Sequence, residues 1–283
     1  MRFSRLLLCT LAGCLLTGLA KAAEPAKRPN FVFIVSEDNS VHYLRLYGHK
    51  LGVTPNIERL AAEGLTFNHA FSGAPVCSVA RTTLATAMHA PRVGFQYHRK
   101  SALASLPPGV KPWSTVLREQ GYYATNNSKT DYNFKVDMKQ AWDMSSRKAT
   151  WRNRPDKSMP FFHMQSFADS HESSLHFPIK QLEKPTTTLP TEVDLPPYFP
   201  DTPIMRYTMA RYYDRMRIID GHVGRIVNQL REDGLLENTF VFYFGDHGGV
   251  LPRSKGYAYE SGLHVPFVVR IPENFKQLVD HKR

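Results

Sequence analysis

Two short apolar runs in the sequence end abruptly in acid. NFVFIVSEDNS carries Glu37 and Asp38, and TFVFYFGDHGG carries Asp246 and His247. Carboxylates crowded into one cavity repel unless a cation neutralises them, and such oxygen donors suit a hard divalent ion, calcium or magnesium, with one imidazole compatible. Either pair alone also reads as a capped loop; their joint placement behind two strands favours a metal site. Cys77 lies in GAPVCSVARTTLAT, with Arg81 one helical turn further on. Lys129 in NNSKTD and Lys255 in RSKGYAYESG occupy turn-like contexts. Together with a helix N-terminus these cations would stabilise an anion, although a single lysine is equally well a solvated one. His171 in DSHESS has the chemistry of a general acid or base. There is no G-x-S-x-G elbow, HExxH, phosphate-binding glycine loop or CxxC pair.

Those residues need elements to hold them in place. Residues 31–35, 159–167 and 239–244 read as buried strands, and HVPFVVRIP as the last one. TPNIERLAAEGLTF reads as a helix stopped by Gly64, followed by a short strand at residues 67–71 and a helix at residues 80–88. WSTVLREQGYYATNN reads as helix, glycine stop and strand. Residues 130–158 look irregular, and residues 182–203 read as a long surface loop. Met209, Tyr212, Met216, Ile219, Val223, Ile226 and Leu230 keep the spacing of one long helix, with Gly234 as its stop. Strands alternating with helices predict an α/β fold with a mostly parallel sheet. In such a sheet the site forms at the carboxyl ends of the strands, where SED, ADSHESS and DHGG all fall.

The totals set the context. The chain has 283 residues, 42% apolar and 22% charged, and a formal net charge of +11. That excludes a disordered or solenoid protein. The charge favours acidic partners, but no basic cluster interleaved with aromatics marks a nucleic-acid face. Arg2 and Arg5, the apolar stretch after them and small residues near Ala22 read as a signal peptide over residues 1–22, with a short linker at 23–29. Export to the periplasm or medium is expected. The apolar LLTGLA after Cys14 speaks against a lipoprotein anchor there, and no stretch has the length of a stable membrane span. Removal of the leader takes Cys9 and Cys14 with it, leaving Cys77 as a lone thiol. It is either a small buried residue or a functional one.

Taken in order, the motifs resemble the formylglycine-dependent sulfatases of the alkaline-phosphatase superfamily. CSVAR at 77–81 is similar to the family's nucleophile signature, and TPNIERLAAEGLTFNHAF to the connection that precedes it. GYYATNNSK, PFFHMQSFADSH, FGDHGG and SKGYAYESG resemble the remaining site segments. The resemblance covers most of the chain. It implies an alkaline-phosphatase-like central sheet flanked by helices on both faces, with residues 30–283 as the N-terminal catalytic domain and the C-terminal subdomain missing. It implies that Cys77 is converted to formylglycine by a maturing enzyme and bound to calcium with Glu37, Asp38, Asp246 and His247. Arg81 would orient the modified residue, His171 protonate the leaving alcohol, and Lys129 and Lys255 bind sulfate from a sulfated carbohydrate or aryl ester. The chain departs from the pattern at Val79, where proline or alanine is usual, at Glu37, where aspartate is common, and at Asp131, where a histidine is expected. A phosphomonoester or phosphonate hydrolase of the same superfamily and a non-catalytic anion-binding protein are the alternative expectations.

Overall fold

Uncharged aromatic and β-branched runs can be buried on both faces only in the middle of a sheet, and the acid-tipped runs do become neighbours there. The computed structural model describes residues 28–99 and 103–280, so the expected leader with Cys9 and Cys14 lies outside the described residues. Its strands are β1 (Asn30–Ser36), β2 (Gly64–Thr66), β3 (Tyr123–Asn127), β4 (Met144–Ser145), β5 (Phe161–Phe167), β6 (Thr239–Gly245) and β7 (Phe267–Arg270). They form one sheet in the order β2-β7-β6-β1-β5-β3-β4. The five strands from β6 to β4 are parallel, while β7 runs antiparallel to β6 and β2 antiparallel to β7. In the centre, Ser36 stands opposite both Phe167 and Gly245. That register delivers the residues following β1, β5 and β6 to one edge of the sheet.

Side-chain alternation divides the core into two layers. The longer helices are α1 (Pro55–Ala62), α2 (Cys77–Thr86), α3 (Trp113–Glu119) and α4 (Pro203–Glu232). Val32, Ile34, Val241 and Tyr243 face α1 and α4, meeting the helical stripe of Tyr212, Met216, Ile219 and Val223. Phe33, Val35, Phe162 and Phe244 face the other way, against Leu84 of α2 and Trp113 and Leu117 of α3. Each such side chain taken fully from water contributes about 1.5–3 kcal/mol. Thr202 caps α4 by accepting the Met205 N–H, and Pro203 fits the first helical turn. The start of α1 has no side-chain cap of its own. Asp220 of α4 supplies one across the interface, accepting the N–H groups of Asn56 and Ile57, each at 2.9 Å, and Asn56 Nδ2 at 2.7 Å.

Three expectations about the elements are corrected. The strand placed at residues 67–71 lies earlier, as β2. Gly64 begins it, because a side chain there would collide with the Val269 backbone. Helix α2 starts at Cys77 rather than three residues later, since Val76 offers no side-chain cap to announce it. Residues 130–158 are not wholly irregular: they contain a helical turn at Met138–Ala141 and strand β4. Among the described residues no helix is long and apolar enough to cross a membrane.

One core residue gives the fold a pH signature. His163 on β5 is buried, with Nδ1 2.8 Å from Thr125 Oγ1 and its ring edge-on to Trp151. Burial pushes its pKa down to about 4. The folded state therefore holds it neutral while the unfolded chain takes up a proton below pH ~6.5. Its stabilising contribution is present above that pH and is lost as pH falls towards 4, by at most about 1.4 kcal/mol per pH unit. In His163→Phe, the melting-temperature difference from the parent protein is expected to narrow between pH 7 and pH 4.5; a constant difference would refute the assignment.

Candidate active site

Where β1 ends, the backbone bends sharply. The Glu37 N–H extends the ladder to the Phe167 carbonyl at 3.0 Å, and Asp38 then takes a φ of 53°. A non-glycine residue in that region carries strain of about 1–3 kcal/mol and persists only where its surroundings over-determine it. Here they do. The Asp38 N–H donates to Asp246 Oδ1 at 3.0 Å, and the Asn39 N–H to the His247 carbonyl at 3.1 Å. The Tyr212 hydroxyl, from α4, donates to the Asp38 carbonyl. Asn39 Nδ2 donates to the Tyr243 hydroxyl and to Ser36 Oγ, at 2.9 and 3.1 Å.

The bend places Asp38 beside Asp246, His247 and Cys77, with one ligand atom from each lying within 4.8 Å of the others, all buried. His247 Nε2 is 3.0 Å from Asp38 Oδ1, 3.2 Å from Cys77 Sγ and 3.9 Å from Asp246 Oδ1. Oxygens about 2.4 Å from a hard cation stand roughly 3.4 Å apart in an octahedral shell, so donors at these spacings fit one. The electrostatics point the same way. Burial works to raise the Asp38 pKa, but His247 and Lys255 overcome it and hold the carboxyl well below its usual range. Burial alone would lower the His247 pKa; Asp246 and Asp38 instead raise it to about 10. Positive charge is thus favoured at the centre of the group. Glu37 is not one of the four. Its Oε2 lies 2.6 Å from Lys129 Nζ and its Oε1 3.5 Å from Arg81.

Cys77 enters as the first residue of α2, at the positive end of the helix dipole. Burial acts to raise its thiol pKa, but hydrogen bonds with His171 and His247 prevail and lower it. Arg81, one turn on, is fully enclosed. Its Nε donates to Asp246 Oδ2 and another guanidinium nitrogen to Ser166 Oγ, both at 3.1 Å. Val79 lies two residues before Arg81, about 200° away around the helix. It packs against Ala74, Ala90 and Val76, not into the site.

The cations and His171 complete the rim. Lys255 Nζ is 2.8 Å from Asp38 Oδ2, 3.2 Å from Glu172 Oε2 and 3.4 Å from His171 Nε2. The neighbouring Cys77 raises the His171 pKa, against the opposing effect of burial. Asp131 takes a φ of 52° and pairs with Arg99 through two contacts of 3.1 and 3.2 Å. Sequence reasoning missed Ser166, Tyr212 and the Ser78–His98 contact at 3.0 Å. Only Tyr212 carried a signal, and that signal was its place on a core stripe. All the predicted site residues converge on this edge, Glu37 through Lys129 and Arg81 rather than within the buried group.

Comparison with known proteins identifies the family and the fold. The family model described as Sulfatase matches residues 29–283. An ulvan-active sulfatase of Formosa agariphila is 35% identical over 88% of this chain and 48% of its own length. The N-acetylgalactosamine-6-sulfatase of the dog, Canis lupus familiaris, is 25% identical over 93% of this chain and 57% of its own. The chain thus spans about half the length of these curated relatives. The crystal structure of a phosphonate monoester hydrolase of Agrobacterium radiobacter superposes with a TM-score of 0.69 at 18% identity, covering 87% of this chain and 68% of that one. This likeness marks the sheet and its flanking helices as the alkaline-phosphatase-like fold. With the family model running from the residue before β1 to residue 283, the chain belongs to the sulfatase family.

Proposed function

We propose that this chain is the catalytic part of an exported sulfuric-ester hydrolase acting on a sulfated carbohydrate, with aryl sulfates as simple substrates. Cys77 is matured to formylglycine, and a divalent cation, calcium or magnesium, is held by Asp38, Asp246, His247 and position 77, with Glu37 beside them. The observation that carries the reading is a buried cysteine at a helix start, inside a buried acidic group whose rim, with Glu37, meets two lysines and a histidine. The names of the relatives and the net charge, +11 less the three of Arg2, Arg5 and Lys21 in the leader, favour an anionic glycan.

The cation, when bound, neutralises the clustered carboxylates and the charge that builds on sulfate oxygens, and hydrated formylglycine supplies the attacking hydroxyl. The chain's own residues do the rest. Lys129 and Lys255 turn from Glu37 and Asp38 to the sulfate oxygens, as preorganised cations at a site of developing charge. Arg81 fixes position 77 by holding Asp246 and the first turns of α2 in one place. His171, whose Nε2 faces Lys255 Nζ, holds the proton that passes to the departing alcohol.

Three outcomes follow. In protein from its native host, the peptide spanning residue 77 is expected to have lost sulfur and two hydrogens and gained one oxygen. An intact thiol together with no turnover would sink the enzyme reading. Calcium at about a hundred times its Kd should stabilise the protein by roughly 2.7 kcal/mol, raising the melting temperature, and Asp246→Asn should abolish that response. A melting temperature indifferent to both calcium and chelator counts against the cation. Lys129→Ala and Lys255→Ala should each lower kcat/KM for an aryl sulfate by about 10²–10³-fold. Assay of the phosphate ester of the same alcohol separates sulfatase from phosphatase: faster phosphate turnover would replace the proposed reaction.

A further inference from the structure

The loop that carries Lys255 also presents a second group of side chains, outside the buried cluster. Arg253 takes a φ of 66°. Its guanidinium lies 4.6 Å from the ring centroid of Tyr198 and 4.5 Å from that of Tyr259, and Tyr259 stacks beside Tyr257 at 6.2 Å and 15°. The three rings are 47%, 48% and 57% exposed in the order Tyr198, Tyr259 and Tyr257. Arg45, Arg99, Arg152 and Arg206, also on the surface, each pair with a carboxylate. Like the exposed Arg92, Arg147 and Arg225, Arg253 pairs with no carboxylate among the described residues, but two aromatic faces hold it. Tyr198 also borders a cavity of about 460 Å³, shared with His42, His49, Lys50 and Ser261. The loop is fastened to the site: Gly256 N–H donates to the Pro75 carbonyl at 2.8 Å, two residues before Cys77.

A guanidinium stacked on rings keeps its planar fork free for a carboxylate or sulfate while losing little freedom on binding. Exposed tyrosines present flat apolar faces with a polar tip, suited to the C–H face of a sugar ring. We infer that Arg253, Tyr198, Tyr257 and Tyr259 form a subsite for a second sugar residue, itself anionic, next to the one bearing the scissile sulfate. The substrate is then an oligosaccharide with a carboxylate or sulfate on adjacent residues. This rests on the sulfatase reading for its orientation, but its binding test does not need turnover.

Calorimetry would measure binding of a panel of tetrasaccharides from ulvan, chondroitin 6-sulfate and heparin. At least one is expected to bind the parent protein. Arg253→Ala should weaken that binding about ten-fold and flatten its salt dependence, and Tyr257→Ala should weaken it about five-fold. Arg253→Lys, which keeps the charge without the fork, should fall between parent and Arg253→Ala. The melting temperature and kcat/KM for an aryl sulfate should stay within about two-fold or a few degrees of the parent. No binding by the parent, unchanged binding in Arg253→Ala, or a parallel loss on the aryl sulfate overturns the subsite. Binding that falls in Arg253→Ala while no sulfate ester is hydrolysed would leave the subsite standing and remove the enzyme.

Discussion

Bringing Glu37, Asp38 and Asp246 into one buried volume is electrostatically unfavourable, and a single guanidinium bears much of the task of permitting it. Arg81 is enclosed on every side, touches Asp246 and Glu37 at once, and adds Ser166 from a third strand end. Removing one partner of such a buried ion group typically costs several kcal/mol, because the remaining charge stays buried without compensation. Arg81 is also what makes α2 part of the sheet edge. Its contacts set the depth and rotation of the helix, and so the position of Cys77 one turn earlier. Lys129 and Lys255 are less enclosed than Arg81.

The helix separates these duties by angle. Cys77 and Arg81 share one face because they are four residues apart, and Val79 occupies the opposite side in a small apolar cluster. In the folded chain the departure at Val79 therefore lies in the packing behind the helix and does not face the buried acidic group. The departure at Asp131 is different in kind. A carboxylate there is drawn to Arg99, which gives the rim an ion pair in place of an imidazole.

Much of the site was legible because parallel strands buried on both faces leave an unmistakable apolar run, and the residue where the run stops is by construction at the functional edge. Glu37, Asp38, Asp246 and His247 were found that way. What stayed hidden was set by tertiary contact. The start of α2 has no capping side chain, β2 is fixed by a close backbone approach at Gly64, and the reversal of β7 leaves no mark in its own composition. The partners of Glu37 were equally unreadable, since a carboxylate's choice between a metal group and a lysine depends on distances of a few ångströms between segments some ninety residues apart.

Helix α4 ties the interior together in a way that reaches beyond packing. Its Tyr212 hydroxyl grips the strained carbonyl of Asp38, and its Asp220, about 12 Å further along the rod at 1.5 Å per residue, grips the start of α1. One stiff member thus holds both the bend at Asp38 and a helix distant from it. Thermal loosening of α1 and collapse of the buried acidic group are then not separate events: the molecule should lose the bend at Asp38 and the layer under α1 in a single cooperative step.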